Sequence, residues 1–376
     1  MRILQLGKAY PPVNLGGVEV TIKLLTEELN QFNEITCDAL GGNKDNSYAE
    51  EFIDNKYYVY RAKCIGKFFS TLLSFQLIKL LKLKWKDYDV IHVHAPDPMA
   101  GLAMFITRPK KKIVLHWHSD ILKQKFFLIF YKVIQEWLIK RADVIIATSP
   151  SYAEYSPYLK KYVNKVRIVP IGIPEELPMV SELLEKEIRN KYLDKKIIFS
   201  LGRLSYYKGF EYLILAAKKL SEEFVVLIGG DGPLSLSFQK LIAENGLEGK
   251  VILLGYLNEN EKNVYIKICH LFCLTSIYRT EAFGIVQLEA MQRGKPIIST
   301  KIDGSGVAWV NQNENTGLTV EIRNPEQISI AIERLSTDNL LYEQMTINCL
   351  NRFHLLFSKK KMGNNIRLIY NEIIDK

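Results

Sequence analysis

The sequence predicts an α/β chain of two domains in tandem, each built on a mostly parallel sheet with helices on both faces. Three observations predict it. Short apolar runs alternate with longer segments of helical period along the whole chain, the pattern of strands buried on both faces and joined by crossover helices. The alternation is interrupted at Pro170, Pro174 and Pro178, a density of proline that breaks both helix and strand. The length, 376 residues, also exceeds the roughly 250–300 residues over which one core usually extends.

Taken in order, Ile3–Leu6 reads as the first strand, Gly16 and Gly17 as a loop, and Val18–Leu29 as a helix. Val90–Val93, Ile113–Leu115, Val144–Ala147 and Val166–Val169 are further short strands, and Phe68–Trp85 and Lys125–Arg141 are helix-length segments between them. After the prolines a second series begins. Ile197–Leu201, Val225–Ile228, Val251–Leu254, Leu271–Leu274 and Ile297–Ser299 read as strands, separated by helices such as Gly209–Leu220 and Ile285–Arg293. The stretch Asn351–Ile374 fits either the last helix of the second domain or a helix that returns to the first. The expected place for a ligand is the cleft between the domains, at the carboxyl ends of the strands.

Composition narrows the function classes. Hydrophobic residues at 48% and charged residues at 24% are ordinary for a globular protein, which excludes bulk disorder and low-complexity classes. The net charge of +9 divides unevenly, +7 over residues 1–180 and +2 over the rest, so any attraction to an anionic surface is expected in the first half. Five widely spaced cysteines suit buried small residues in a reducing compartment better than disulfides or zinc. Neither a signal peptide nor a membrane-spanning run is evident, so a cytoplasmic protein peripheral to the membrane is expected. A basic chain can also bind nucleic acid, but no recognition helix, zinc finger or RNP-like aromatic strand is present.

Several short patterns could carry chemistry. Gly16-Gly17 lies between a strand and a helix, which fits a tight turn or a loop that approaches an anion. Arg203 follows a strand and Lys208 opens the next helix, so the two cations fit a diphosphate clamp or a solvated loop. Gly229-Gly230-Asp231-Gly232-Pro233 ends another strand as a structural turn or as a ligand wall, with Asp231 able to bond its own turn. Glu281 and Glu289 flank Ala282-Phe283-Gly284-Ile285-Val286. If Gly284 or Ile285 opens a helix, its free N–H groups can receive a phosphate while the carboxylates accept from vicinal hydroxyls. Paired carboxylates also suit acid/base hydrolysis. His92, His94, His116 and His118 occur as two pairs of period two, each pair on one face of a strand. They fit hydrogen-bonded core residues more readily than metal ligands, and His118, at a strand end, is placed for ligand contact.

A further stretch speaks to membranes. Arg61, Lys63, Lys67, Lys79, Lys82, Lys84 and Lys86 occur with no intervening acid and are interleaved with Phe68, Phe69, Leu72, Phe75, Leu77 and Leu81. That combination suits a helix on an anionic bilayer surface, or a domain helix with a solvated basic face.

Taken together, Gly16-Gly17-Val18-Glu19, Gly202-Arg203-Leu204 with Lys208-Gly209, Gly229-Gly230-Asp231-Gly232-Pro233 and the run Glu281–Ala290, at these offsets, resemble the retaining GT-B glycosyltransferases of family 4, glycosyl transferases group 1, of bacterial surface-polysaccharide type. The resemblance covers nearly the whole chain. It implies two Rossmann-like α/β domains facing across a cleft: residues 1–172 on the acceptor side, with residues 353–376 crossing back onto them, and residues 173–352 binding the nucleotide sugar. It implies that Gly16 and Gly17 approach the donor diphosphate and that Arg203 and Lys208 neutralise it as it leaves. Glu289 is then expected to hold the ribose, and Glu281 the sugar hydroxyls. Gly230 and the backbone of Phe283, Gly284 and Ile285 are expected near sugar or phosphate, the base near Tyr256 and Leu257, and His118 at the transferred sugar.

The activity implied is transfer of a hexose, with retention and without a metal or other cofactor, from GDP-mannose or a UDP-sugar to a glycan or polyprenyl-diphosphate-linked glycan. The segments Pro296–Thr300, Gly304–Gly306, Trp309–Asn311 and Thr316–Leu318 resemble mannosyl-transferring members. The partners expected are therefore the nucleotide sugar, the glycan acceptor and an anionic membrane surface on the inner face. A non-catalytic sugar-nucleotide-binding module, an epimerase and a glycan phosphorylase share the scaffold and are the rival readings.

Overall fold

The computed structural model describes residues 1–13, 16–68, 71–121 and 125–375. The chain forms two compact units, one of Met1–Pro174 with Ser358–Lys376 and one of Glu175–Phe357.

The first unit begins with β1 (Arg2–Leu6), α1 (Gly17–Leu29), β2 (Thr36–Gly42), β3 (Ala49–Ile53) and β4 (Tyr57–Ala62), then a small hairpin of β5 (Gly66–Phe68) and β6 (Thr71–Leu73). It continues through α2 (Phe75–Lys84), β7 (Val90–Ala95), α3 (Pro98–Thr107), β8 (Lys112–Trp117), α4 (Lys125–Arg141), β9 (Val144–Ala147), α5 (Pro150–Tyr155) and β10 (Val166–Ile168). The main sheet runs β10-β9-β8-β7-β1-β2-β4-β3 and is parallel except for β3, which pairs antiparallel with β4 at the edge. The sheet order reverses between β1 and β7. The apolar runs of β1, β7, β8 and β9 follow from covering on both faces.

The expected helix Phe68–Trp85 is a correction. Gly66–Phe68 pairs with Thr71–Leu73 as a hairpin, and the helix starts only at Phe75 because the Ser74 side chain accepts from the Leu77 amide at 3.1 Å and caps it.

The second unit carries α6 (Glu182–Lys191), β11 (Lys196–Leu201), α7 (Phe210–Ala217), β12 (Phe224–Gly229), α8 (Ser235–Glu244), β13 (Val251–Gly255), α9 (Glu259–Ile268) and β14 (Leu271–Leu274). α10 (Val286–Met291), β15 (Ile297–Lys301), α11 (Val307–Val310), β16 (Gly317–Glu321), α12 (Pro325–Thr337) and α13 (Asn339–Leu356) complete it. Its sheet is wholly parallel in the order β13-β12-β11-β14-β15-β16, the doubly wound order of a dinucleotide-binding domain. The crevice at the carboxyl ends of β11 and β14, where that order reverses, is where such sheets place a ligand.

The stretch Asn351–Ile374 is two helices. α13 ends at Leu356, Phe357 is buried, and Ser358 caps α14 (Lys359–Ile374) by accepting from the Lys361 amide at 3.1 Å. α14 belongs to the first unit, where Met362, Ile366, Ile369, Tyr370 and Ile373 share a core with Ile3, Leu25, Leu29 and Val90. All five cysteines are buried and free. Among the described residues no helix is long and apolar enough to cross a membrane.

Candidate active site

In the second unit three turns meet at the carboxyl ends of the strands. The Gly202 amide donates to the Gly229 carbonyl at 3.0 Å, Gly230 to the Gly255 carbonyl at 2.7 Å, and Leu204 to the Asp231 carbonyl at 2.9 Å. Gly230 has φ +123°, and a Cβ there would overlap the Gly202 carbonyl oxygen, so only glycine lets the turns after β11 and β12 approach this closely. Asp231 closes its own turn by accepting from the Gly232 amide at 2.6 Å. Leu257 packs over Gly229, while Tyr256 is 77% exposed beside it.

Lys208 ends a short 3-10 turn ahead of α7 and is buried. Its Nζ lies 2.5 Å from Glu281 Oε2, and the two side chains keep only 10% and 13% of their exposure. Glu281 also accepts from the Ser276 hydroxyl at 3.1 Å. Burial opposes the charge on Lys208, but the Glu281 carboxylate, with Tyr207 behind it, outweighs burial and holds the ammonium above the usual lysine range. Two residues expected to serve separately are thus each other's partner. Arg203 is exposed; its carbonyl accepts from the Ser205 hydroxyl at 3.2 Å, and its guanidinium makes no hydrogen bond or ion pair among the described residues.

From Glu281 the chain runs through Gly284 to α10. Ile285 occupies the cap position, and neither the Gly284 nor the Ile285 amide donates a backbone hydrogen bond among the described residues. The Phe283 ring is buried against Trp309 and Phe357, at 6.4 and 6.0 Å between ring centroids, so only its backbone can face a ligand. Glu289, in the first turn of α10, accepts from Lys262 Nζ at 3.0 Å through Oε1, and its Oε2 is enclosed with no donor among the described residues. Burial lifts the Glu289 carboxyl above the ordinary range, against the opposing pull of Lys262. Lys262 carried no signal in the sequence; it lies on α9, brought to Glu289 by the strand order.

Gly16, Gly17 and His118 lie in the first unit. Gly16 caps α1 and Gly17 is its first residue; both are exposed. His118 follows β8 directly and is buried, its amide donating to the Ala95 carbonyl at 2.8 Å. Its Nε2 lies 2.9 Å from Nδ1 of His94 on β7. The four expected histidines form one buried array, and Gln5 and Tyr370, which sequence reasoning passed over, join it. A polar residue inside the apolar run Ile3–Leu6 was the available signal for Gln5.

The expected basic membrane face is corrected in part. Arg61 is buried, with its Nε donating to Glu51 Oε1 at 2.9 Å and its guanidinium to the carbonyls of Tyr10 and Pro11, so it neutralises the edge strand β3 instead of facing lipid. Lys84 is half-buried with Nζ 3.8 Å from the Tyr60 ring centroid. Leu72, Leu77 and Leu81 point into the unit. Lys63, Lys67, Lys79, Lys82 and Lys86 are exposed, as are Ile65, Phe75 and Leu83. Phe69 lies outside the described residues.

Comparison with known proteins bears on what such sites do. Residues 182–352 match the family described as Glycosyl transferases group 1, and residues 15–177 match Glycosyltransferase Family 4. The chain is 29% identical over 375 residues to the O-antigen chain mannosyltransferase C of Escherichia coli, which covers 100% of this chain and 99% of that one. It is 31% identical over 301 residues to the alpha-D-kanosaminyltransferase of Streptomyces kanamyceticus, covering 75% of this chain and 77% of that one. Among solved structures, the sucrose-phosphate synthase of Thermosynechococcus elongatus superposes with a TM-score of 0.81 at 19% identity and 100% coverage of both chains, a likeness of fold.

Proposed function

The chain belongs to the glycosyl transferases of group 1, and on that premise we propose that it transfers a hexose, with retention and without a metal, from a nucleotide sugar to a glycan or lipid-linked glycan of a surface polysaccharide. The observation that carries the reading is the enclosed Lys208–Glu281 pair at the reversal of the strand order, with the unpaired Oε2 of Glu289 in the element that follows. The relative named as an O-antigen chain mannosyltransferase favours mannose, and hence GDP-mannose over a UDP-sugar, and a polysaccharide acceptor.

In this reading Lys208, Arg203 and the amides of Gly284 and Ile285 meet the diphosphate, with Gly230 and the Phe283 backbone close by. Gly16 and Gly17 at the start of α1 approach the same group. Lys208 spends one of its three donors on Glu281 and keeps two for phosphate oxygens. Glu289 accepts from the ribose, Glu281 from the sugar, and Tyr256 and Leu257 flank the base. His118 reaches the transferred sugar. The bond from the anomeric carbon to the phosphate oxygen breaks as the acceptor hydroxyl bonds on the same face, and the departing phosphate oxygen takes the hydroxyl proton. Fixed positive charge stabilises the leaving diphosphate, which is the service a metal would otherwise perform.

Thermal shift against UDP-, GDP-, ADP- and dTDP-sugars tests the donor. A ligand bound only by the folded chain at about 100 times its Kd adds about 2.7 kcal/mol of stability. Stabilisation by one base class is expected, and no response to any of the four ends the reading. NMR of the product anomer tests retention, activity in excess chelator tests metal independence, and turnover that requires free phosphate would instead indicate a phosphorylase. For the inner membrane face, Lys63, Lys67, Lys79, Lys82 and Lys86 with Ile65 and Phe75 are the contact residues proposed. Flotation with anionic but not neutral vesicles is the expected result, and equal flotation with both removes it.

A further inference from the structure

We propose that Gln5 and His94 are positioning residues that fix His118 as the tautomer with its hydrogen on Nε2, leaving Nδ1 as a hydrogen-bond acceptor for a donor-sugar hydroxyl. The inference rests on the reading that His118 meets the transferred sugar.

The geometry supplies the reasoning. Gln5, on β1, turns its carboxamide oxygen to His94 Nε2 at 2.7 Å. Its nitrogen, which has two hydrogens, faces two acceptors, Tyr370 Oη at 3.3 Å and Cys37 Sγ at 3.5 Å. A carbonyl oxygen only accepts, so His94 donates from Nε2. A neutral imidazole has one N–H, so Nδ1 of His94 is an acceptor, and its partner at 2.9 Å, His118 Nε2, is the donor. His118 Nδ1 then carries a lone pair and receives no hydrogen bond from a described residue. Burial keeps His94 well below the usual histidine range and pushes His118 down to about 3, so the tautomer, not the charge, is what the array sets.

The other arm continues in the same direction. Tyr370 Oη receives the Gln5 hydrogen and donates its own to His92 Nδ1 at 2.6 Å. His92 donates from Nε2 to His116 Nδ1 at 3.2 Å, and the His116 Nε2–H that remains is enclosed without a partner among the described residues. Each group gives one hydrogen and takes one, and the last donor is left over.

A metal does not explain the array. Ring nitrogens of His92, His94 and His116 lie within 4.8 Å of one another. However, the rings of His92 and His94 are 15° from parallel and those of His94 and His116 are 26°, stacked on one another, with His92 and His116 tilted by 41°. Both nitrogens of His92 and of His94 are already bonded.

The chemical consequence is definite. As an acceptor, His118 Nδ1 can hold a sugar hydroxyl, but it has no proton to deliver to the leaving phosphate. The test is two-bond 1H–15N correlation on the full chain labelled with 15N-histidine, with His118 assigned by His118→Asn, between pH 6 and 8. It needs neither donor nor acceptor, so it is independent of the transferase reading, which the nucleotide-sugar thermal shift decides. Hydrogen on Nε2 of His118 is expected. In Gln5→Leu, which removes the acceptor for His94, hydrogen should appear on Nδ1 of His118, and kcat should fall about tenfold with little change in the donor KM. Gln5→Glu keeps an acceptor oxygen toward His94 and should keep the Nε2 tautomer, which reads the same relay if Gln5→Leu does not fold. Hydrogen on Nδ1 in the unaltered chain, movement to Nδ1 in Gln5→Glu, or an unchanged tautomer in a folded Gln5→Leu each overturns the proposal.

Discussion

Replacing Lys208 with methionine separates the two parts Lys208 is given. Structurally, the change strands the Glu281 carboxylate, whose side chain is only 13% exposed. Breaking a fully buried pair costs about 3–5 kcal/mol. Here the residual exposure and the Ser276 hydroxyl at 3.1 Å soften the loss, so about 2–3 kcal/mol is expected. For a unit of roughly 150–250 residues that lowers the melting midpoint by about 4–12 °C. Chemically, the variant removes one cation from the departing diphosphate, which costs about 2–4 kcal/mol in the transition state, or roughly 30- to 1000-fold in kcat. The double variant Lys208→Met/Glu281→Gln distinguishes the two. Its neutral pair should melt close to the unaltered chain, yet turnover should stay depressed. Differential scanning calorimetry and initial-rate assays on the three proteins provide the check. Unchanged turnover in Lys208→Met, or turnover restored together with stability in the double variant, would refute the assignment.

Three other outcomes are expected. Lys262→Met should move the acid limb of kcat/KM to higher pH: burial already raises the Glu289 carboxyl and Lys262 is the group holding it down, so removing Lys262 lets Glu289 protonate earlier as pH falls. A pH profile with an unmoved limb contradicts this. Acid should open the first unit before the second. His92, His94, His116 and His118 are buried, and burial pushes their pKa below the usual histidine value, so the unfolded chain binds protons near pH 6.5 that the folded unit refuses. Their stabilising effect is whole above pH 6.5 and is lost below it at about 1.4 kcal/mol per pH unit for each histidine. Hydrogen exchange at pH 5 should show first-unit amides deprotected while those of the second unit, with His270 as its one histidine pushed down to about 4, persist. Simultaneous loss in both units counts against it. Finally, Gly230→Ala should abolish folding of the second unit or lower its stability by more than about 3 kcal/mol, whereas Gly246→Ala, with φ +65° and open space around its Cβ, should cost about 1–2 kcal/mol; equal urea midpoints would show that the close approach of the turns is not limiting.

The strands nearest the middle of each sheet were legible because covering on both faces leaves them mostly apolar: β11 and β12 read as nearly continuous apolar runs, and β7 and β8 as apolar runs with His92, His94 and His116 set into them. The edge was not. Thr36–Gly42 contains Asp38 and small residues, and the β3–β4 pair carries charges on its outer strand, so neither shows an apolar run. Arg61 was misread for the same reason: its charge counted toward a basic stretch, while its partner Glu51 is adjacent only through the antiparallel pairing. At the site, the spacing of Glu281 and Glu289 and the glycine turns were readable, since each lies within one short continuous segment. The pairs were not. Lys208 with Glu281, Lys262 with Glu289, and Gln5 with Tyr370 are joined by the order of strands and helices, which no local period encodes.

The first unit is interrupted in sequence: its sheet is complete by Ile168, but one side of its core waits for Met362 to Ile373. On the ribosome, Leu25, Leu29 and Val90 therefore emerge with their covering helix still unmade. At about 5–20 residues per second, the roughly 200 residues after Pro174 take about 10–40 s to synthesise. During that interval the second unit, contiguous in the message, can fold within a polypeptide whose beginning still presents an oily surface. Nascent-chain chaperones have that window in which to act, and the emergence of Met362 to Ile373 is the moment at which the opening segment gains its covering layer.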